Sequence, residues 1–192
     1  HTRKIREGQN RAHRHPKSRG VVFRFLTQRM NYLETYLKKA EDAVPNSSVS
    51  LRLSAERFAE KHLAVFGFNE HMTGLLFGHV QSGKTGQMFG IASVAADKGF
   101  RFFVLVTTDN TILYQQTLER TKRSLGGFID GFRVLGETDD GEFLTAPKTP
   151  IPTIVVLKKN IRVLKHWLNH IASNAYFKDL PLFLLDDEGD AS

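Results

Sequence analysis

The chain has 192 residues, of which 41% are hydrophobic and 24% charged, with a formal net charge of +7. Those figures suit one α/β domain with a modest appendage and a genuine core. Cysteine is absent, which excludes disulfides and thiolate metal sites and points to a reducing cytoplasm. The most apolar runs, such as Phe102 to Val106, are strand-length and exclude a membrane span, and the N-terminus lacks the apolar stretch of a secretory signal.

The charge is unevenly placed. Residues 1 to 20 hold seven Lys/Arg against the single acid Glu7, a net +6 that leaves +1 for the other 172 residues. This segment reads as a basic tail. Its two readings are a tail that holds a nucleic-acid phosphate backbone electrostatically and a solvated arm.

Apolar spacing at Phe25, Met30, Leu33 and Leu37 predicts an amphipathic helix from Val21 to Asp42, broken by "AVPNSS" at 43 to 48. A second helix is predicted from a Ser54 cap to Gly67. Together they make residues 21 to 70 an N-terminal helical appendage. From residue 71 the pattern changes. Strands are expected at 73 to 78 ("TGLLFG"), 100 to 108 ("FRFFVLVTT"), 153 to 158 ("TIVVLK") and 181 to 187 ("PLFLLDD"). Helices are expected between them, over 84 to 99, over "NTILYQQTLERTKRSL" and over "IRVLKHWLNHIAS", the last with Leu164, Trp167, Leu168 and Ile171 towards the core. Alternating strands and helices predict an α/β fold over 71 to 192, a doubly wound, mostly parallel sheet. Residues 126 to 150, glycine-rich with the acidic centre "GETDDGE", read as a surface excursion or hairpin.

Gly78-His79-Val80-Gln81-Ser82-Gly83-Lys84-Thr85 matches G-x-x-x-x-G-K-[ST] at every fixed position. The spacing has a chemical reason. Backbone N–H groups must turn inward around phosphates, which needs glycine where a Cβ would clash or φ is positive. The helix that starts near Lys84 points the positive end of its dipole at the anion. Lys84 then reaches the β- and γ-phosphates and Thr85 offers a hydroxyl to Mg²⁺, while Gln81 and Ser82 shape the loop. The competing reading is a plain glycine turn; an apolar strand before the loop and a helix after it favour a P-loop NTPase. At the end of the last strand, "LLDDEGD" provides Asp187 to hold Mg²⁺ and Glu188 to orient an attacking water. ATP or GTP hydrolysis is the chemistry expected of the full protein.

Asp187-Glu188-Gly189-Asp190 resembles the D-E-x-D box of superfamily 2 helicases and translocases. Taken in order, "GHVQSGKTGQ", "LYQQTLER", "VVLKKNIRVLKHWL" and "LLDDEGDAS" resemble the Z-one domain family of restriction-associated endonucleases. The resemblance implies a RecA-like first lobe, with ATP and Mg²⁺ as cofactors, attached to a DNA restriction or anti-phage system. It also implies that Gln116, Thr117 and Arg120 contact a nucleic-acid strand or brace the lobe, and that Lys158, Lys159 and Asn160 fall where backbone contacts occur. Lys158 and Lys159 also read as an ordinary charged strand end. Gly189 departs from the usual alanine. The resemblance further implies a second lobe with arginine fingers after Ser192, the remaining C-terminal part of the same protein, and no membrane partner.

His166 and His170 stand four apart on a helix, but "HWLNH" lacks the glutamate of H-E-x-x-H, and they read as solvated histidines. A GTPase would need a base-reading N-K-x-D, which is absent, and a nucleotide kinase has no use for D-E-x-D. A non-catalytic module that binds nucleotide to recruit a partner is the remaining alternative.

Overall fold

The computed structural model describes residues 31–67, 71–74, 83–127, 130–145 and 151–187. In chain order the elements are α1 (Tyr32–Ala43), α2 (Ser47–Phe58), α3 (Lys84–Asp97), β1 (Phe102–Thr107), α4 (Thr111–Leu125), β2 (Arg133–Leu135), α5 (Asp140–Phe143), β3 (Thr153–Lys158), α6 (Ile161–Ser173) and β4 (Leu182–Asp186). The class is α/β. The four strands form one all-parallel sheet in the order β2-β3-β1-β4. Among the described residues no helix is long and apolar enough to cross a membrane.

The unbroken apolar runs become the central strands because they are covered on both faces. Phe103 and Leu105 of β1, Ile154 and Val156 of β3 and Leu185 of β4 join one core with α1 to α4. Phe102, Val104, Val106, Val155 and Leu157 join another with Trp167, Phe143 and Phe177. In this second core the Phe143 and Phe177 rings stack at 4.5 Å, with Trp167 edge-on to Phe143 at 5.1 Å. β4 is covered on one face only. Leu182 and Leu184 remain exposed.

The same capping device starts both crossover helices. The Asn110 side chain accepts from the N–H groups of Ile112 and Leu113, and Asn160 accepts from those of Arg162 and Val163. Asn160 also donates to Asp109 at 3.2 Å, so the turns after β1 and β3 are tied together at the C-terminal edge of the sheet.

Several elements depart from the sequence expectation. Of the predicted strand at 73 to 78, Thr73 and Gly74 belong to no strand, and residues 75–78 lie outside the described residues. α2 begins at Ser47 rather than at a Ser54 cap, because the Glu41 carboxylate accepts from Asn46 N–H (2.7 Å) and Ser48 N–H (3.1 Å) and Asn46 takes up a left-handed turn, φ 66°. The predicted helix from Val21 is observed from Tyr32; the residues before 31 lie outside the described ones. The described residues between 126 and 145 do not pair as a hairpin: they supply β2, a parallel edge strand beside β3, and α5. Their acidic centre is anchored, with Glu137 N–H donating to the Tyr114 hydroxyl (2.8 Å), Asp139 accepting from Gly136 N–H (2.7 Å) and the Trp167 indole donating to Glu137 C=O (3.0 Å). Leu168, expected in the core, is 63% exposed, since Trp167 fills the space under α6.

The N-terminal helices pack directly on α3. Gly86 and Gly90 present a low face to them: a Cβ on Gly86 would stand 3.4 Å from the Tyr36 hydroxyl, and one on Gly90 would stand 3.6 Å from Ala55 Cβ. The Tyr36 hydroxyl donates to Gly86 C=O at 2.7 Å, and burial pushes that phenol up to about 12. At the other end of α3, the Asp97 carboxylate accepts from the N–H groups of Tyr32 (2.8 Å) and Leu33 (3.1 Å), capping α1 from 65 residues away. Asp97→Ala leaves two first-turn donors of α1 unpaired and should lower stability by about 1–2 kcal/mol, measured as a shift in urea midpoint. An unchanged midpoint would show that this contact contributes nothing.

Candidate functional site

α3 starts at Gly83, which adopts φ +74°, a left-handed conformation that glycine takes without strain. It supplies no side-chain cap to the first turn of α3, and among the described residues nothing lies within 4 Å of the point a Cβ would occupy. Among the described residues, the helix thus begins with first-turn donors that Gly83 does not cap, and helix starts with such donors suit an anion.

Thr85, in that first turn, meets the end of β4. Its hydroxyl donates to the Asp187 carboxylate at 3.5 Å, a contact across 102 residues. Asp187 is held at the C-terminal edge of the sheet by its own N–H, which donates to Val106 C=O at 3.0 Å. Burial raises the Asp187 carboxyl above its ordinary value, opposed by the Thr85 hydroxyl and by the positive charges of Arg120 and Lys84. Gly83, Lys84, Thr85, Arg120 and Asp187 therefore converge on one corner of the sheet. Gly78, Gln81, Ser82 and Glu188 lie outside the described residues.

Comparison of the chain with family models, with curated proteins and with solved structures gave no match. The functional reading rests on the geometry and on the sequence pattern.

The residues expected near nucleic acid separate into two groups. Gln116 and Arg120 are exposed on α4. Lys158 is engaged elsewhere, in an ion pair with Glu137 at 2.9 Å where each side chain is only 17% exposed, with its ammonium 5.4 Å from the centre of the Tyr114 ring. Lys159 pairs with Asp186 at 3.4 Å. The role of Lys158 as an anchor for the 136–139 turn was not legible in the sequence, because its partner sits in a segment with no periodic signal. The electrostatic influence of Arg120 on Asp187 was equally hidden, since the two residues are far apart in sequence and on different elements.

The mechanism open to this corner is charge compensation. A half-buried carboxylate beside a hydroxyl is a hard oxygen pair of the kind that Mg²⁺ takes as ligands, and Lys84 brings a positive charge to the same helix start. In the absence of a cation the carboxylate is a desolvated charge. Because its folded pKa is raised above the unfolded value, its contribution to stability is present below about 3.9 and is lost as pH rises through the folded value. Asp187→Asn should therefore leave the ligand-free protein at pH 7 at least as stable as the parent, with the difference shrinking as pH falls towards 4, in thermal melts run across that range. A variant markedly less stable at pH 7 would contradict the desolvation account.

Proposed function

We propose that this chain is the ATP-binding first lobe of a P-loop, RecA-like, helicase-type ATPase that acts on DNA within a restriction or anti-phage system. The observation that carries the reading is the meeting of Thr85 and Asp187 at 3.5 Å, at the start of α3 and the end of β4. The glycine loop Gly78–Thr85 supplies the phosphate cradle in this reading, with Gln81 and Ser82 shaping it. Lys84 binds the β- and γ-phosphates, Thr85 and Asp187 hold Mg²⁺, directly or through water, and Glu188, next in sequence, orients the attacking water. Mg²⁺ supplies neutralisation of the phosphate charge; the chain's own part is to position the anion and to keep water ordered at the γ-phosphorus.

Hydrolysis needs a further cation on the γ-phosphoryl, and an arginine finger is worth ~10³ to 10⁵ in rate. Such an arginine comes from a second lobe in the proposed scheme. The chain alone should bind ATP in a Mg²⁺-dependent manner and turn it over near background. Lys84→Ala should weaken ATP binding by about 10- to 100-fold, the loss of hydrogen bonding to a charged group. Glu188→Gln should leave binding unchanged. Calorimetry and a phosphate-release assay read both halves; brisk DNA-independent turnover would remove the main support for a helicase-type enzyme.

The DNA half of the proposal rests on the basic tail, residues 1 to 20, and on Gln116 and Arg120 at the surface of α4. Phosphate contacts of this kind are insensitive to sequence and steeply dependent on salt. Deleting residues 1 to 20 should lower affinity alike for duplexes of different sequence and flatten the dependence of log K on log salt. Equal binding before and after deletion would assign the tail to solvent.

A further inference from the structure

On the opposite side of the sheet from α3, α6 carries His166 and His170 one turn apart, and the two imidazoles converge on Asp140 of α5. The Nε2 atoms are 3.1 Å apart, and Asp140 Oδ2 stands 3.5 Å from one and 3.7 Å from the other. His166, whose side chain is 54% exposed, agrees with the reading as a solvated histidine; His170 is more enclosed. The imidazole of His170 is only 23% exposed, and both rings turn towards a carboxylate contributed by another segment.

Hydrogen bonding accounts for only part of this arrangement. One N–H suffices for the histidine pair, and the carboxylate oxygen lies at or beyond the outer limit of a hydrogen bond to either ring. The triangle has another property. With sides of 3.1, 3.5 and 3.7 Å, its three atoms lie on a circle of radius about 2.0 Å, so an ion just above their plane stands slightly more than about 2.0 Å from each, near the bond length of zinc to imidazole nitrogen and carboxylate oxygen. Tetrahedral bonds of that length set ligand atoms about 3.3 Å apart, within the spread of the three sides. We propose that Asp140, His166 and His170 form a zinc site, with the fourth position open to water.

The ligands stand on rigid supports. Trp167, between the two histidines in sequence, is fully buried and fixes the rotation of α6. α5 is fixed by Phe143, also fully buried, whose carbonyl accepts from the Asn174 side chain at 3.3 Å. The side chains of His166 and Asp140 are 54% and 40% exposed, so the triangle is open to an ion from solvent. Two neutral imidazoles and one carboxylate select a borderline ion such as Zn²⁺ over Mg²⁺, which prefers oxygen ligands. The site is therefore chemically separate from the Thr85–Asp187 corner, and it does not depend on the nucleotide reading.

The test uses the full chain, stripped with chelator and titrated with Zn²⁺ by calorimetry and with Co²⁺ by visible absorption. One strongly bound ion, a tetrahedral Co²⁺ spectrum displaced by Zn²⁺, and no competition from millimolar Mg²⁺ are expected. At a hundredfold excess over Kd, Zn²⁺ should raise Tm by about 5 to 10 °C. His170→Ala should abolish the Co²⁺ spectrum, and Asp140→Asn, which leaves both imidazoles and the fold in place, should weaken binding by about tenfold or more. Lys84→Ala should not alter it. Zinc bound equally well by both variants would belong to other histidines such as His13 and His15 of the tail, and would overturn the proposal. A folded parent with no Zn²⁺ binding would do the same.

Discussion

The close approach of α1 and α2 to α3 sets the position of everything at the proposed phosphate end. Two glycines one turn apart, Gly86 and Gly90, leave α3 without side chains where Tyr36, Leu51 and Ala55 press against it. Larger side chains would force the helices apart and tilt α3, whose first turn carries Lys84 and Thr85. The contact is also polar at both ends, through Tyr36 to the Gly86 carbonyl and Asp97 to the first turn of α1. The N-terminal helices share one continuous core with the sheet, including Phe103 and Ile154, so the orientation of α3 depends on them as well as on the strands.

The burial of Asp187 has an electrostatic logic that fits a binding corner better than a structural one. Among the described residues, the Thr85 hydroxyl and the charges of Arg120 and Lys84 favour the ionised carboxylate, yet desolvation outweighs them. A structural ion pair would place its cation in contact, as Lys158 does with Glu137. In the proposed scheme a divalent ion would offset this desolvation, so that ion binding and local stability rise together.

Much of the fold was legible because burial on both faces leaves an unbroken apolar run: "FFVLV", "TIVVLK" and the following amphipathic α6 appear where expected. The asparagine caps also carry fixed local chemistry that a sequence displays. Other features depended on partners distant in sequence or hidden in irregular segments. β2 is three residues long and earns its place only by pairing with β3. The start of α2 is set by a glutamate side chain from α1, and Leu168 loses its core position to the bulk of Trp167. Lys158 looked available at a strand end, yet Glu137 claims it. The spacing of His166 and His170 was visible, but the carboxylate they face comes from α5, and no periodicity in either helix announces it.

Asp186 and Asp187 are neighbours whose side chains go to different partners: Asp186 to Lys159, Asp187 to Thr85. Successive residues of an extended chain point to opposite faces. Which of the two acids meets Thr85 is thus decided by the phase of β4 alone, and both have the same chemistry. A single-residue insertion or deletion in that strand would keep an aspartate at the sheet's edge while exchanging their tasks, breaking the Lys159 pair and turning the wrong carboxylate towards α3. Conservative substitutions would be absorbed across the apolar body of β4, whereas changes in its length would not.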